Sequence, residues 1–288
     1  MKYLLYISLA FFATVSLVGC KDDEEEVLEN PGTFSIYFEN QVDGAPMVLD
    51  TAGNTNYRYT AANGQRFNFS LFGFYVSEIK LEGPDGATFV DPMNVSADAA
   101  SVKGYYQVLQ SNPSSSTINL ANVPAGKYNK LTFTIGINED GVEEGAAGGV
   151  LDPANGAWFW NWNSGYINFA MEGTAENSPQ PYVDYGGGFV SYEKTYNIHV
   201  GGWKNLPADS TGTQNFVNNV KTITIDLQTD VTVKEGSSPM AHITVDPMKL
   251  INESGLDFST TYQVHTPGKG QPFANKLSSV FTLDHVHE

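Results

Sequence analysis

Strict alternation of apolar and polar residues runs through the chain from Thr33 onward, and this pattern restricts most of it to half-buried strands. Phe34, Ile36 and Phe38 alternate with Ser35, Tyr37 and Glu39, and Phe133, Ile135 and Ile137 alternate with Thr134 and Gly136. Phe67, Phe69 and Leu71 alternate in the same way with Asn68 and Ser70. Successive side chains of a strand point to opposite faces, so each run offers one apolar face to a core. Further strands are expected near residues 74–81, 166–172, 196–200, 222–227 and 242–245, punctuated by turn clusters such as Gly83-Pro84-Asp85-Gly86. Helical stripes are scarce, and Phe273, Leu277 and Val280 predict one short C-terminal helix. The expected fold is all-β: a single-domain β-sandwich with Greek-key-like connections over residues 32–288, in which residues 91–113 and 139–156 form long loops.

The N-terminus has a different character. Lys2 precedes an apolar run over residues 4–18 that is short for a membrane span, and Leu17-Val18-Gly19-Cys20 follows at once. This predicts a lipoprotein signal peptide over residues 1–19, with lipid carried on Cys20. Lys21-Asp22-Asp23-Glu24-Glu25-Glu26 then opens a self-repelling acidic tether over residues 20–31. Its Lys-then-acidic form resembles the export signal of Bacteroidota surface lipoproteins, which implies an outer-membrane lipoprotein at the cell surface or else facing the periplasm. A plain solvated spacer is the alternative reading of the same run.

Cys20 is the chain's single cysteine, so neither a disulfide framework nor a zinc site built from several thiolates is available. A net charge of −17 without any basic block disfavours a surface that neutralises phosphates, and a nucleic-acid partner is excluded on that ground. The chain also lacks a Gly-x-Ser-x-Gly elbow, a cysteine nucleophile and a His-Glu-x-x-His helix. Its scattered carboxylates do not pair into a glycosidase dyad by sequence, and a non-enzymatic protein is expected.

Two constellations remain. In an extended segment Trp158, Trp160 and Trp162 project on one face, opposite Phe159 and Asn161, as core filling between sheets or as a stacking platform for sugars. The histidines are His199 on an expected strand, His242, His265 before Pro267, and His285 with His287 near the C-terminus. With the lone thiol committed to lipid, imidazole and thioether are the donors left for a soft ion such as Cu(I). His285 and His287 fall on one side of a strand and can chelate jointly or belong to a frayed tail, whereas His242 reads as a partly buried polar residue. Asp140, Glu143 and Glu144 offer carboxylates to Ca²⁺ without EF-hand spacing, or are a solvated loop.

The aromatic segment continues as Trp160-Asn161-Trp162-Asn163-Ser164-Gly165-Tyr166, followed by Glu172-Gly173, and resembles the Trp-x-Trp-x-x-Gly-Tyr…Glu-Gly signature of MbnP-like copper-binding proteins. Other blocks fall in the family's order. Tyr75-Val76-Ser77-Glu78-Ile79-Lys80-Leu81 is similar to its Tyr-x-Ser-x-Ile-x-Leu strand, and Ile198-His199-Val200-Gly201-Gly202 to its histidine-glycine strand. Residues 267–281 are similar to its closing Pro-Gly…Phe segment. The resemblance implies a periplasmic or lipid-anchored β-sandwich concerned with copper acquisition or handling. In some members a tryptophan is oxidised to kynurenine and helps a histidine hold Cu(I); the matching positions are Trp160 or Trp162 and His199, and His265, His285 or His287 are the further imidazoles expected to help. Implied partners are a dihaem peroxidase-like oxidising enzyme and a TonB-dependent transporter. Two positions depart from the pattern, because Trp158 and His265 stand where relatives often carry Met. The alternative function is a surface glycan-binding lipoprotein using the three tryptophans as its platform; a structural adhesion module is a further alternative.

Overall fold

The computed structural model describes residues 30–144 and 148–288. The expected signal peptide, Cys20 and most of the acidic tether lie outside the described residues. Twelve strands carry the architecture: β1 (Gly32–Val42), β2 (Leu71–Glu82), β3 (Tyr105–Leu109), β4 (Thr117–Val123), β5 (Gly126–Ile135), β6 (Phe159–Asn161), β7 (Gly165–Thr174), β8 (Thr195–Gly201), β9 (Lys221–Val233), β10 (Met240–Val245), β11 (Gln263–Val264) and β12 (Phe281–His287). Helices α1 (Glu139–Glu143), α2 (Pro247–Ser254), α3 (Pro267–Ala274) and α4 (Leu277–Val280) are short. No helix among the described residues is long and apolar enough to cross a membrane.

The strands form two principal sheets. The smaller runs β12-β10-β1-β4, with β1 parallel to β10 and antiparallel to β4. The larger runs β9-β5-β2-β7-β8-β11 and takes β3 and β6 beside its central strands. Alternation dictates how they meet: Phe34, Ile36 and Phe38 of β1 point at Phe74, Val76, Phe133 and Ile135 of the larger sheet, all fully buried. Ring pairs bridge the sheets at 5.5 Å for Phe38 with Phe74 and 5.4 Å for Phe38 with Phe133. Phe281 closes the same cluster at 5.2 Å from Phe74. These edge-on contacts are the geometry aromatic quadrupoles favour, and the all-β sandwich is as expected.

The larger sheet is covered on its other face as well. Tyr75, Tyr105, Ile137, Val142, Leu151, Tyr166 and Trp203 form a second apolar cluster there. A strand covered on both faces reads as a continuous apolar run, which explains the Phe72–Val76 stretch of β2, where Phe74 and Val76 face the sandwich core and Tyr75 the second cluster.

Local departures from the expected elements have identifiable causes. The anticipated strand at residues 67–71 is reduced to a two-residue pairing of Tyr59–Thr60 with Arg66–Phe67. Asn68, expected on a solvent face, is buried, and its side chain accepts from the Thr174 N–H and donates to the Asn54 carbonyl. The stretch over residues 91–113 contains β3, and that over residues 139–156 contains α1 and two 3₁₀ turns, its residues 145–147 lying outside the described part. The single C-terminal helix is two, α3 and α4, parted at Asn275 and Lys276, with Phe273, Leu277 and Val280 buried as their spacing requires.

Candidate functional site

Strand β8 carries His199 to the face opposite the main core, since Tyr196, Ile198 and Val200 occupy the inner positions. Ala170 of β7 pairs directly with His199, so Glu172, two residues on, is its diagonal neighbour. His199 Nε2–H donates to Glu172 Oε1 at 2.7 Å. Strand β11 lies parallel to β8 with Gln263 opposite Asn197, and the chain leaves it through His265 into Thr266, whose hydroxyl caps α3. His265 Nε2–H donates to Gln263 Oε1 at 2.9 Å, and the Gln263 amide is held in that orientation by donating to Gln180 Oε1 at 3.0 Å.

Both outer nitrogens are thereby committed as donors, leaving each neutral ring a bare Nδ1. The two Nδ1 atoms face one another 3.2 Å apart, and the rings meet edge to face at 4.8 Å. Two lone pairs so placed repel unless a proton or a cation stands between them. Ligands about 2.0–2.1 Å from a tetrahedral ion are separated by about 3.3 Å, so the gap matches a small imidazole-preferring metal.

The pair is braced from behind. Buried Asn219 donates from one amide nitrogen to the Gly201 carbonyl at 2.8 Å and the Pro267 carbonyl at 2.7 Å, joining the end of β8 to the start of α3. In front, an open cleft of about 410 Å³ is lined by Glu172, Asn197, His199, Gln263 and His265, with Tyr185 and Tyr192 at its rim.

His265 also borders a second cleft, of about 280 Å³, with Trp160, Phe216 and Pro267. Trp160 lies against β8 at Gly201, where a Cβ would come within 2.8 Å of its Cζ3. Glycine at 201, two residues along from His199, therefore makes room first for the Tyr166 backbone carbonyl, which such a Cβ would meet more closely still, and then for this indole. The other tryptophans go elsewhere, and the expected row of three does not form. The Trp158 ring meets Tyr75 edge-on at 6.1 Å, and the Trp158 backbone N–H donates to the Tyr75 hydroxyl. Trp162 is 55% exposed, edge-on to Phe159 at 5.0 Å. The reason is local: Asn161 Oδ1 accepts from the Asn163 and Ser164 N–H groups, an Asx turn that ends β6 after three residues.

The expected histidine set divides in two. His199 and His265 converge as described, whereas His285 and His287 lie on β12 of the smaller sheet beside His242 of β10. Glu172 and His242 were not expected as site residues, although Glu172 stands inside the quoted signature. The acidic trio proposed for Ca²⁺ does not converge: Asp140, Glu143 and Glu144 are exposed on and beside α1, and among the described residues no cluster of carboxylates has ligand spacing.

Burial of its inner face lowers the His265 pKa, His199 and Lys269 lower it further, and Glu172 opposes them. The native chain thus resists taking a proton that an unfolded chain accepts below about pH 6.5. Stability contributed here is full above that value and is lost as pH falls through the depressed one. An imidazole NMR titration should place His265 below the ordinary range, and Glu172→Gln should lower it further by removing the one opposing charge; an upward move contradicts this electrostatic account.

No curated protein matches the chain. Among solved structures, MbnP from Methylosinus trichosporium is similar at 17% identity, with 79% of each chain covered and a TM-score of 0.49. The MbnP family profile matches residues 31–267, most of the chain and all of the His199–His265 site, and the chain therefore belongs to the MbnP family.

Proposed function

We propose that this protein is a lipid-anchored, non-enzymatic copper-binding protein that takes up Cu(I) between His199 and His265. The family is associated with copper, and the observation that carries the reading to these residues is the pair of opposed Nδ1 atoms 3.2 Å apart. Each ring is oriented by an oxygen acceptor on its far nitrogen, the usual outer-shell arrangement of metal-binding imidazoles. Two neutral nitrogens suit a soft monovalent ion better than a hard one.

Trp160 is the tryptophan whose oxidation would matter to this site. An indole is a poor donor, whereas ring opening to kynurenine supplies an aniline nitrogen and a ketone beside His265. The lipid on Cys20 would hold the protein at the outer membrane, and a dihaem oxidising enzyme and a TonB-dependent transporter are the partners that fit this role.

The test is a Cu(I) titration against a competing chelator, using protein purified from its native host, with intact-mass and peptide analysis in parallel. One equivalent of Cu(I) should bind, and oxidation to kynurenine should appear at Trp160 as a gain of about 4 Da, adding the donor a two-imidazole site lacks. Absence of Cu(I) binding overturns the proposal; a modification confined to Trp162 removes Trp160 from it.

A further inference from the structure

A second group of histidines occupies the other sheet. Strand β12 is an edge strand, and its antiparallel register sets His285 opposite His242 and His287 opposite Met240. Side chains two apart on a strand share a face, so all three imidazoles stand together on one side of the β10–β12 pair. His285 Nε2 and His287 Nε2 are 3.1 Å apart, and one ring nitrogen from each of the three residues lies within 4.8 Å of the others. The His242 ring centroid is 4.2 Å from that of His285 and 4.9 Å from that of His287.

Two details distinguish this group from a chance cluster. His242 Nε2 is buried and has no hydrogen-bond partner, an arrangement that leaves either a lone pair or a proton unsatisfied. His285 Nδ1–H donates to Asp284 Oδ2 at 2.7 Å, which fixes the tautomer that leaves Nε2 free. A carboxylate behind one imidazole, an orphaned nitrogen on a second, one nitrogen pair at 3.1 Å and the third ring nitrogen within 4.8 Å describe a three-histidine cluster that offers an ion three ligands and an open fourth position.

We infer that His242, His285 and His287 form a second metal site, independent of the His199–His265 pair, that binds a borderline divalent transition ion of the zinc class. Three neutral nitrogens without thiolate favour such an ion over Ca²⁺ or Mg²⁺. His285 and His287 lie beyond the residues matched by the family profile, whereas His242 lies within them. Bound metal would tie β12 to β10 from the side-chain face, in addition to the backbone ladder.

Zinc alone is the probe. The full mature chain, loaded with Zn²⁺ and passed through gel filtration, should retain one more equivalent than the His285→Gln/His287→Gln variant, whose changes fall on an exposed edge. The His199→Ala/His265→Ala variant should keep that equivalent. Substituting Co²⁺ should give the intense visible bands of a tetrahedral nitrogen site, absent from the His285→Gln/His287→Gln protein. Asp284→Asn should weaken zinc binding roughly tenfold or more by loosening His285. Equal zinc in wild type and the His285→Gln/His287→Gln variant, or no retained zinc in either, overturns the site. Loss of the equivalent in the His199→Ala/His265→Ala variant overturns its independence, while Cu(I) binding measured in the His285→Gln/His287→Gln protein tests the other site separately.

Discussion

Replacing either His199 or His265 by alanine should lower Cu(I) affinity by about 100-fold or more, beyond the roughly 10–100-fold that loss of an outer-shell partner costs. Among the described residues these are the only two imidazoles lining the cleft, so removing one would leave a single ring nitrogen to face an ion. Glu172→Gln gives an internal scale. It retains an acceptor beside His199 Nε2 but removes the negative charge, and its effect should fall within or below the outer-shell range. The order His199→Ala, then Glu172→Gln, then wild type, measured by chelator competition at one pH, is the expected result. Unchanged affinity in His199→Ala places copper elsewhere.

Phe38→Ala should destabilise the fold by about 3–5 kcal/mol, the usual loss for emptying a buried aromatic site. Phe38 is 1% exposed and bridges the sheets, meeting Phe74, Phe133 and Phe281 with centroids at 5.5, 5.4 and 6.3 Å. Neighbours drawn from the larger sheet and from β12 of the smaller one cannot close the void together, because each is fixed by its own ladder. Against a typical total of about 5–15 kcal/mol this is a large fraction. Urea denaturation should show an earlier midpoint with an unchanged slope. A loss under about 1 kcal/mol would show that the sheets do not depend on this contact for their packing.

The alternating phenylalanines declared the sandwich directly, because a period of two has one physical meaning once a core is needed on one side. Residues 67–71 show where that reasoning stops: Phe67 and Phe69 are buried as expected, yet Asn68 between them is buried too, held by partners near residues 54 and 174 that local sequence does not reveal. The tryptophan segment diverged because one side chain, Asn161, turns the backbone before Trp162 can align with Trp160. For the histidines the residue types were legible and the grouping was not. His199 meets His265 only because β11 joins β8 in parallel, and His242 meets His285 only because β12 returns along β10. Both are pairings between distant segments, set by topology rather than by spacing. Glu172 was visible as part of a motif, but its diagonal position next to His199 is set by the β7–β8 register.

Asn219 has a consequence for how an ion would be received. By clamping Gly201 and Pro267 through one amide, it holds the two histidine-bearing segments like the fixed jaws of a caliper, and the opening is set before any ion arrives. On the proposed reading, the two imidazoles would then meet an ion without being gathered from separate positions, and the cost of ordering them would fall on folding rather than on binding. Preorganisation would be the work of a side chain that never touches the metal.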